Sequence, residues 1–166
     1  TSIDWAFTTA ITPGCPTDSE TDGSTCPELP VTRDEMAQFM WRFKSQPAPT
    51  TTAAFEDVAA DATYATAVDW LAEQQITLGC TTTTYCSNGT VTRAEMAAFL
   101  WRLEDSPEGS APAGFVDVSD DSFAVNAVDW LLASETTTGC TPTTYCPQGL
   151  VTRAEMFTFL ERLEAS

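Results

Sequence analysis

The sequence predicts an all-α fold made of three tandem helix-loop-helix repeats, and two observations predict it. The hexapeptide VTRAEM stands at 91–96 and at 151–156, and VTRDEM stands at 31–36, so one pattern recurs every 60 residues. The segment AVDWLAEQQITLGCTTTTYC at 67–86 also matches AVDWLLASETTTGCTPTTYC at 127–146 without a gap. Repetition at a fixed period indicates units that bury a shared core between neighbours.

The composition excludes several classes of function. The 166 residues include 24 acidic and seven basic side chains, for a net charge of −17, and no histidine. A field of that sign repels nucleic acid and anionic lipid, so we expect neither as a partner. Without histidine, a Ser/His or Cys/His catalytic arrangement cannot form within the chain, and we expect no enzyme activity and no cofactor. No run approaches the roughly 18 apolar residues that cross a bilayer, so we expect no membrane insertion.

The first helix of each unit is predicted on the Asp-Trp segment. In the second unit, one face carries a stripe at 3.6-residue spacing, formed by Tyr64, Ala67, Val68, Leu71 and, at its end, Gln75. Gly79 follows as a stop. Trp5, Trp70 and Trp130 recur on the flank of this stripe. There they fit either partial burial at a seam between units or a groove wall that stacks on a sugar ring.

The hexapeptide predicts the start of the second helix of each unit. Thr92 is a favoured N-cap, and Glu95, three residues later, completes a capping box. Val91 and Met96 stand where a hydrophobic staple requires them. The equivalent capping pairs are Thr32 with Glu35 and Thr152 with Glu155. The apolar stripe of this helix is predicted at Met96, Phe99, Leu100 and Leu103.

Six cysteines lie in the loops between the predicted helices. They form three local pairs, namely Cys15 with Cys26, Cys80 with Cys86, and Cys140 with Cys146. An even count in adjacent pairs predicts three disulfides and an oxidising, extracellular compartment. Zinc is the alternative, but zinc sites usually pair cysteines two to four residues apart and add two further ligands, whereas these intervals are longer.

The first cysteine loop is five residues longer than the other two and is acidic. Asp18, Glu20 and Asp22 alternate before Gly23, as in the first half of a calcium-binding EF-hand loop. No acid stands at the twelfth position, where such a loop needs a bidentate glutamate. The sequence therefore favours a solvated acidic loop over a calcium site, and it predicts no metal site elsewhere.

Arginine is the residue of the hexapeptide that helix formation does not explain. Arg33, Arg93 and Arg153 stand at the first helical position, where a cation faces the positive end of the helix dipole. One explanation is an ion pair between units, with an aspartate as the partner, chosen from Asp4, Asp57, Asp69, Asp117 and Asp129. The other is a forked donor for a carboxylate or another anionic group of a ligand. A second set, which a favourable dipole contact explains and for which no function is predicted, is Arg42, Arg102 and Arg162.

Linkers and unit boundaries follow from composition. Stretches rich in Pro, Ser, Gly and Ala at 45–54 and 106–114 predict linkers. A Phe-x-Asp-Val segment opens two units, at 55–58 and 115–118, and the first unit lacks it, so we expect that unit to be incomplete on its N-terminal side. The expected units are 1–46, 53–106 and 113–166.

Together, the Phe-x-Asp-Val segment, the Asp-Trp helix, the glycine-containing turn and Val-Thr-Arg-Ala-Glu-Met resemble the S-layer homology (SLH) family, as three consecutive motifs over nearly the whole chain. The cysteine pairs replace the usual turn that bears glycine and aspartate, which is similar to an actinobacteria-like variant. The resemblance implies one pseudo-threefold helical domain with disulfide-stapled loops on the bacterial cell surface. It implies non-catalytic anchoring to an anionic secondary cell-wall polysaccharide.

The resemblance also implies where the ligand binds. It places the anionic sugar in grooves between motifs and assigns Arg33, Arg93 and Arg153 to those grooves. The predicted ligand-binding set further includes the Asp-Trp pairs, Asp4 with Trp5, Asp69 with Trp70, and Asp129 with Trp130. A structural or adhesive role is the alternative, in which the repeats self-assemble with neighbouring copies into a filament or bind a protein partner.

Overall fold

A computed structural model describes residues 1–14 and 25–165. Within these ranges the chain forms six α-helices and no strands, which confirms the all-α prediction for them. The helices are α1 (Ser2–Thr8), α2 (Arg33–Phe43), α3 (Ala65–Glu73), α4 (Arg93–Leu103), α5 (Val125–Ala133) and α6 (Arg153–Ala165). None of the described helices combines the length and the apolar character that crossing a membrane requires.

The hexapeptide begins α2, α4 and α6, as predicted. The Thr92 N–H donates to Glu95 Oε2 at 2.9 Å, and the Thr92 hydroxyl accepts from the Glu95 N–H at 3.3 Å. Thr152 and Glu155 make the same two bonds, and the Thr32 N–H donates to a Glu35 carboxylate oxygen at 3.1 Å. The staple positions are fully buried in all three units, at Val31, Met36, Val91, Met96, Val151 and Met156. Local capping and the buried staple together explain why these residues recur.

The first helices are shorter, and the end of their predicted stripe differs from the structure. The buried members of the stripe in α3 are Ala67, Val68 and Leu71. Gln75 was predicted on the same face, but α3 ends at Glu73, and Gln75 is exposed with φ at +58°. A left-handed residue cannot continue a right-handed helix, so the side chain leaves the apolar face. Ala10 and Glu135 have the same backbone conformation after α1 and α5.

Helices pair across the boundaries of the expected units. α2 packs against α3, α4 against α5, and α6 against α1. The first helix of one unit therefore covers the second helix of another unit, and the apolar core is shared. The indole N–H of Trp5 in α1 donates to Glu164 Oε2 in α6 at 2.8 Å. Phe39 of α2 meets Phe157 of α6 edge to face, with ring centroids 5.1 Å apart.

The three hexapeptides are joined by a ring of backbone hydrogen bonds. The Val31 N–H donates to the Val151 carbonyl at 2.8 Å, the Val91 N–H to the Val31 carbonyl at 3.1 Å, and the Val151 N–H to the Val91 carbonyl at 3.0 Å. Each valine thus donates to one unit and accepts from the other. We call this set the valine ring.

Both linkers are fixed at their two ends. The Trp41 indole N–H donates to the Pro47 carbonyl at 2.8 Å, and the Ala53 N–H donates to Asp69 Oδ1 at 2.8 Å. The second linker repeats this arrangement, with Trp101 on Pro107 at 2.9 Å and Ala113 on Asp129 at 2.8 Å. The linkers are therefore attached to the helices before and after them.

Two of the predicted disulfides lie within the described residues. Cys80 is bonded to Cys86 and Cys140 to Cys146, each pair with its Cα atoms 6.0 Å apart. The predicted bridge of Cys26 involves Cys15, which lies outside the described residues, as does the calcium candidate of Asp18, Glu20 and Asp22. In residues 1–14 and 25–165, no group of three or more His, Cys, Asp or Glu residues could hold a metal ion.

Candidate functional site

The three hexapeptide arginines are buried although they carry charge. Arg33 is 5% exposed, Arg93 7% and Arg153 2%. In each case Nε donates to a backbone carbonyl of another unit, from Arg33 to Tyr85 at 2.8 Å, from Arg93 to Tyr145 at 2.8 Å and from Arg153 to Thr25 at 2.7 Å. Each guanidinium also lies over two aromatic rings, with distances of 4.9 to 5.9 Å to their centroids. Cation–π contact and hydrogen bonding together offset the desolvation of the buried charge.

The ion-pair partners of these arginines are glutamates, and the predicted aspartate partners were wrong. Arg33 Nη1 is 3.5 Å from Glu95 Oε1, Arg93 Nη1 is 3.0 Å from Glu155 Oε1, and Arg153 Nη1 contacts Glu35. These are the capping-box glutamates, so one carboxylate caps its own helix and receives an arginine from another unit.

The aspartates accept hydrogen bonds elsewhere. Asp57 accepts from the Tyr85 and Cys86 N–H groups, both at 2.7 Å. Asp117 accepts equivalently from Tyr145 and Cys146, both at 2.8 Å. The remaining three have local partners, with Asp69 and Asp129 on the linkers and Asp4 on Thr1. All five carboxylates therefore have a structural function in the described contacts.

Each hexapeptide arginine lines a cavity between units together with an arginine from the end of another second helix. Arg33 and Arg102 share a cavity of about 300 Å³, Arg93 and Arg162 one of about 210 Å³, and Arg153 and Arg42 one of about 450 Å³. We name these cavities the Arg33, Arg93 and Arg153 grooves. Two guanidinium groups in one cavity can together donate hydrogen bonds to an anionic group, because each offers a planar fork of N–H donors.

The second set of arginines was not predicted to be functional. Their Nη1 atoms donate to carbonyls that follow the first helices, from Arg42 to Ile11, from Arg102 to Ile76 and from Arg162 to Thr136, at 3.1 to 3.3 Å. Burial lowers the pKa of Arg42 and of Arg102. The recurrence of six of the seven basic residues at repeat-equivalent positions was the available signal. Within one helix, nine residues separate the two sets and place them on opposite faces, so only contacts between units bring them together.

The grooves differ in how fully the arginine is bonded. In the Arg153 groove, Nη2 donates to Thr12 Oγ1 at 3.1 Å and to the Gly14 carbonyl at 2.7 Å. Burial lowers the pKa of Arg153, and the contact with Glu35 opposes that shift. In the Arg33 groove, Nη2 is buried and has no hydrogen-bond partner among the described residues. An unsatisfied buried donor of this kind costs about 1–3 kcal/mol.

The predicted tryptophans lie outside the three grooves. Trp70 is 8% exposed and belongs to the core. Trp5 packs against Phe43, with ring centroids 6.4 Å apart, and Trp130 is partly buried against the core. The residues that the structure brings together at the grooves are therefore the arginines, the capping-box glutamates and the turns after the first helices.

Comparison with protein families supports the resemblance seen in the sequence. The model of the S-layer homology domain matches residues 54–97 and 114–157, which together make up more than half of the chain. The chain therefore belongs to the S-layer homology domain family. Domains of this family are non-catalytic modules that anchor proteins to cell-wall polymers at the cell surface. No curated protein matches the chain.

Proposed function

We propose that this chain attaches a protein to an anionic secondary polysaccharide of the bacterial cell wall through the grooves between its repeats. The observation that carries the proposal is the placement of basic charge. Six of the seven basic residues line the three grooves, in a chain that has 24 acidic residues. Basic side chains collected at cavities in so acidic a protein favour an anionic ligand there, because they offset the repulsion by the rest of the surface.

The three units, 1–46, 53–106 and 113–166, would form one domain about a pseudo-threefold axis that passes through the valine ring. Three sets of repeated contacts support this arrangement: the ring itself, the pairing of helices across unit boundaries and the arginine–glutamate pairs. On this proposal the first unit is a third SLH motif, beside the two that the family model matches. The Cys80–Cys86 and Cys140–Cys146 disulfides fit an extracellular location.

Binding at the grooves would combine forked donation with multivalency. A carboxylate or similar group would accept hydrogen bonds from guanidinium N–H groups in one groove. A polymer that occupies more than one groove would bind more tightly than a single sugar, since the second contact is intramolecular. Salt would weaken the attraction, because Arg42 and Arg102 are partly exposed and Arg162 is exposed.

Co-sedimentation with purified bacterial cell walls tests this proposal. The variant that carries Arg42→Ala, Arg102→Ala and Arg162→Ala is expected to lose most wall binding, because every groove loses one cation. The matched control is Lys44→Ala, which removes the basic residue that pairs with Glu104 rather than lining a groove.

Two outcomes of that experiment would contradict the proposal. Equal binding by the triple variant and by Lys44→Ala would disprove the arginine assignment. A wild-type protein that ignores the walls and polymerises as its concentration rises would support assembly with neighbouring copies instead. Extracting the polysaccharide from the walls with mild acid beforehand should abolish wild-type binding.

A further inference from the structure

The Arg33 groove continues into a second cavity. Leu78 and Arg102 line both the groove, of about 300 Å³, and a neighbouring cavity of about 410 Å³. The remaining residues that line the second cavity are Gln74, Gln75, Asp105 and Ser106. The two cavities therefore form one trough, which is basic at the Arg33 end and mainly neutral and polar at the glutamine end.

We propose that this trough binds two consecutive sugar units of a polysaccharide, an anionic unit at Arg33 and Arg102 and a neutral, hydroxyl-rich unit at Gln74 and Gln75. The inference rests on the proposed function and extends it. A groove that recognises one charged sugar would then also recognise the neighbouring sugar. The glutamine end is then a specificity subsite.

The basic end has unused donor capacity. Arg33 Nη2 is buried without a partner among the described residues, and a ligand oxygen would remove the cost of that unsatisfied donor. Arg102 uses Nη1 on the Ile76 carbonyl at 3.3 Å, and its guanidinium carries further N–H groups. Leu78 and Phe123, each 67% exposed, form an apolar rim beside the two cations. Such a rim suits the C–H face of a sugar ring.

The glutamine end has the chemistry for neutral hydroxyl groups. A primary amide donates two hydrogen bonds and accepts others, and a serine hydroxyl does both. Asp105 would repel a second anionic group at this end and would accept hydrogen bonds from hydroxyls. The backbone here is fixed, because the Gln74 N–H donates to the Trp70 carbonyl at 3.0 Å and the Ser106 N–H to the Trp101 carbonyl at 2.8 Å. The polar side chains therefore start from fixed positions at the ends of α3 and α4.

The other two units carry different residues at these positions. Gln74 and Gln75 correspond to Thr9 and Ala10 in the first unit, and to Ser134 and Glu135 in the third. Ala10 offers no side-chain hydrogen bond, and Glu135 adds a carboxylate that would repel an acidic polymer. The pair of amides belongs to the second unit alone, so the subsite distinguishes the Arg33 groove from its counterparts.

Calorimetric titration with fragments of one polysaccharide tests the inference. The probes are fragments of a purified anionic bacterial cell-wall polysaccharide, sized after mild acid hydrolysis into the anionic sugar alone and the anionic sugar with its neutral neighbour. Wild-type protein is expected to bind the two-sugar fragment about tenfold more tightly, which corresponds to one or two added hydrogen bonds. The variant Gln74→Ala with Gln75→Ala, which removes both amides, is expected to lose this gain and to keep its affinity for the single sugar.

The control is Gln46→Ala, which removes an exposed amide from the first unit. The inference is overturned if the two fragments bind wild type equally, or if the double glutamine variant keeps the gain. In either case, the triple variant Arg42→Ala, Arg102→Ala and Arg162→Ala, which removes one cation from every groove, reports separately on the proposed function. If that variant still loses affinity for both fragments, the groove binds the anionic sugar and only the second subsite is wrong. If it binds both fragments as wild type does, the proposed function fails as well.

Discussion

The Arg33 and Arg153 grooves contain the same arginine at the same position of the repeat, but the two side chains are bonded differently. Arg153 donates to Thr25, Glu35, Thr12 and Gly14, so its guanidinium is held by the chain itself. Arg33 donates to Tyr85, makes a long 3.5 Å contact with Glu95, and leaves Nη2 without a partner. Every nitrogen of the Arg153 guanidinium is therefore engaged within the chain, whereas Arg33 keeps one buried donor without a partner among the described residues.

The turn after the first helix accounts for part of this difference. In the first unit this turn contains Pro13, and its glycine, Gly14, has φ at 122°, against 82° at Gly79 and 79° at Gly139. The Gly14 carbonyl accepts from Arg153 Nη2. The different backbone conformation at Gly14 thus occurs together with a hydrogen bond that occupies Arg153 Nη2, a donor that a ligand could otherwise use. Repetition of a residue does not imply repetition of its function.

The largest effect is expected from replacing Arg153. Arg153→Ala should lower the free energy of unfolding by about 4 kcal/mol, because Glu35 and two carbonyls lose their buried donor. Arg33→Ala should cost about 1–2 kcal/mol, since that arginine makes fewer bonds and carries an unsatisfied donor. Urea denaturation of both variants measures the difference. Equal losses would show that the two arginines contribute equally to the free energy of unfolding.

The second effect concerns the disulfide beside the Arg33 groove. Replacing Cys80 and Cys86 by alanine should cost about 2 kcal/mol, the loop-entropy value for a short loop. Because Cys80 lines the Arg33 groove, binding of the single anionic sugar should weaken too. The matched control replaces Cys140 and Cys146, which enclose a loop of the same length. We expect the same loss of stability from the control and unchanged affinity at the Arg33 groove, measured by urea denaturation and calorimetry.

The third effect separates the rims of the two grooves. Phe123→Thr introduces the residue that the Arg153 groove carries at the equivalent position, Thr63. The affinity of the Arg33 groove for the anionic sugar should fall by about 1 kcal/mol, the scale of one aromatic contact. Stability should change little, because Phe123 is 67% exposed. A variant with unchanged affinity in calorimetry would exclude the rim from the binding site.

The smallest effect is a dependence on pH. Partial desolvation acts to raise the pKa of the exposed Asp57 carboxyl, but the hydrogen bonds from the Tyr85 and Cys86 N–H groups outweigh it and lower that pKa below its ordinary value of 3.8. The carboxylate therefore contributes stability above pH 3.8, and this contribution is lost as the pH falls through the lowered pKa.

The variant Asp57→Asn tests that contribution. Thermal unfolding of wild type should show a small decline in the midpoint below pH 4, and this decline should be smaller in Asp57→Asn. The corresponding difference in the free energy of unfolding should be less than about 1 kcal/mol, because the group is exposed. The carbonyl that receives Arg33 belongs to the Tyr85 segment that Asp57 fixes, so acid should loosen the Arg33 groove. Superimposable pH profiles of the two proteins would contradict this link.

The sequence predicted the features that depend on neighbours in the chain. The capping boxes at Thr92 and Thr152, the stripe that ends in Leu103 and the Cys80–Cys86 bridge all follow from short-range rules, and the structure confirms them. The prediction that Gln75 continues the apolar stripe was wrong, because a stripe at helical spacing does not reveal where the helix ends. The backbone becomes left-handed there, with φ at +58°.

The candidate site was harder to predict, because its residues meet across units. Glu95 already had a sufficient local explanation as a capping residue, which concealed its second contact with Arg33. A favourable contact with the helix dipole likewise explained Arg102 locally. In the structure, Arg102 lines a cavity with Arg33 of the first unit and not with Arg93 of its own helix. Spacing along the chain carries no information on such pairs until the order in which the helices pack is known.

On the proposed threefold arrangement, the valine ring would also limit the number of repeats in the domain. A linear array of repeats can gain or lose a unit at its end, because each terminal unit has a free face. Here Val151 donates to Val91 and accepts from Val31, and α6 is covered by α1. A fourth unit would have to break an existing hydrogen bond to join the ring, and a domain with two units would leave an N–H and a carbonyl unpaired at its centre. On this arrangement the turns and rims can vary without disturbing the ring, whereas a change in the number of units would break it.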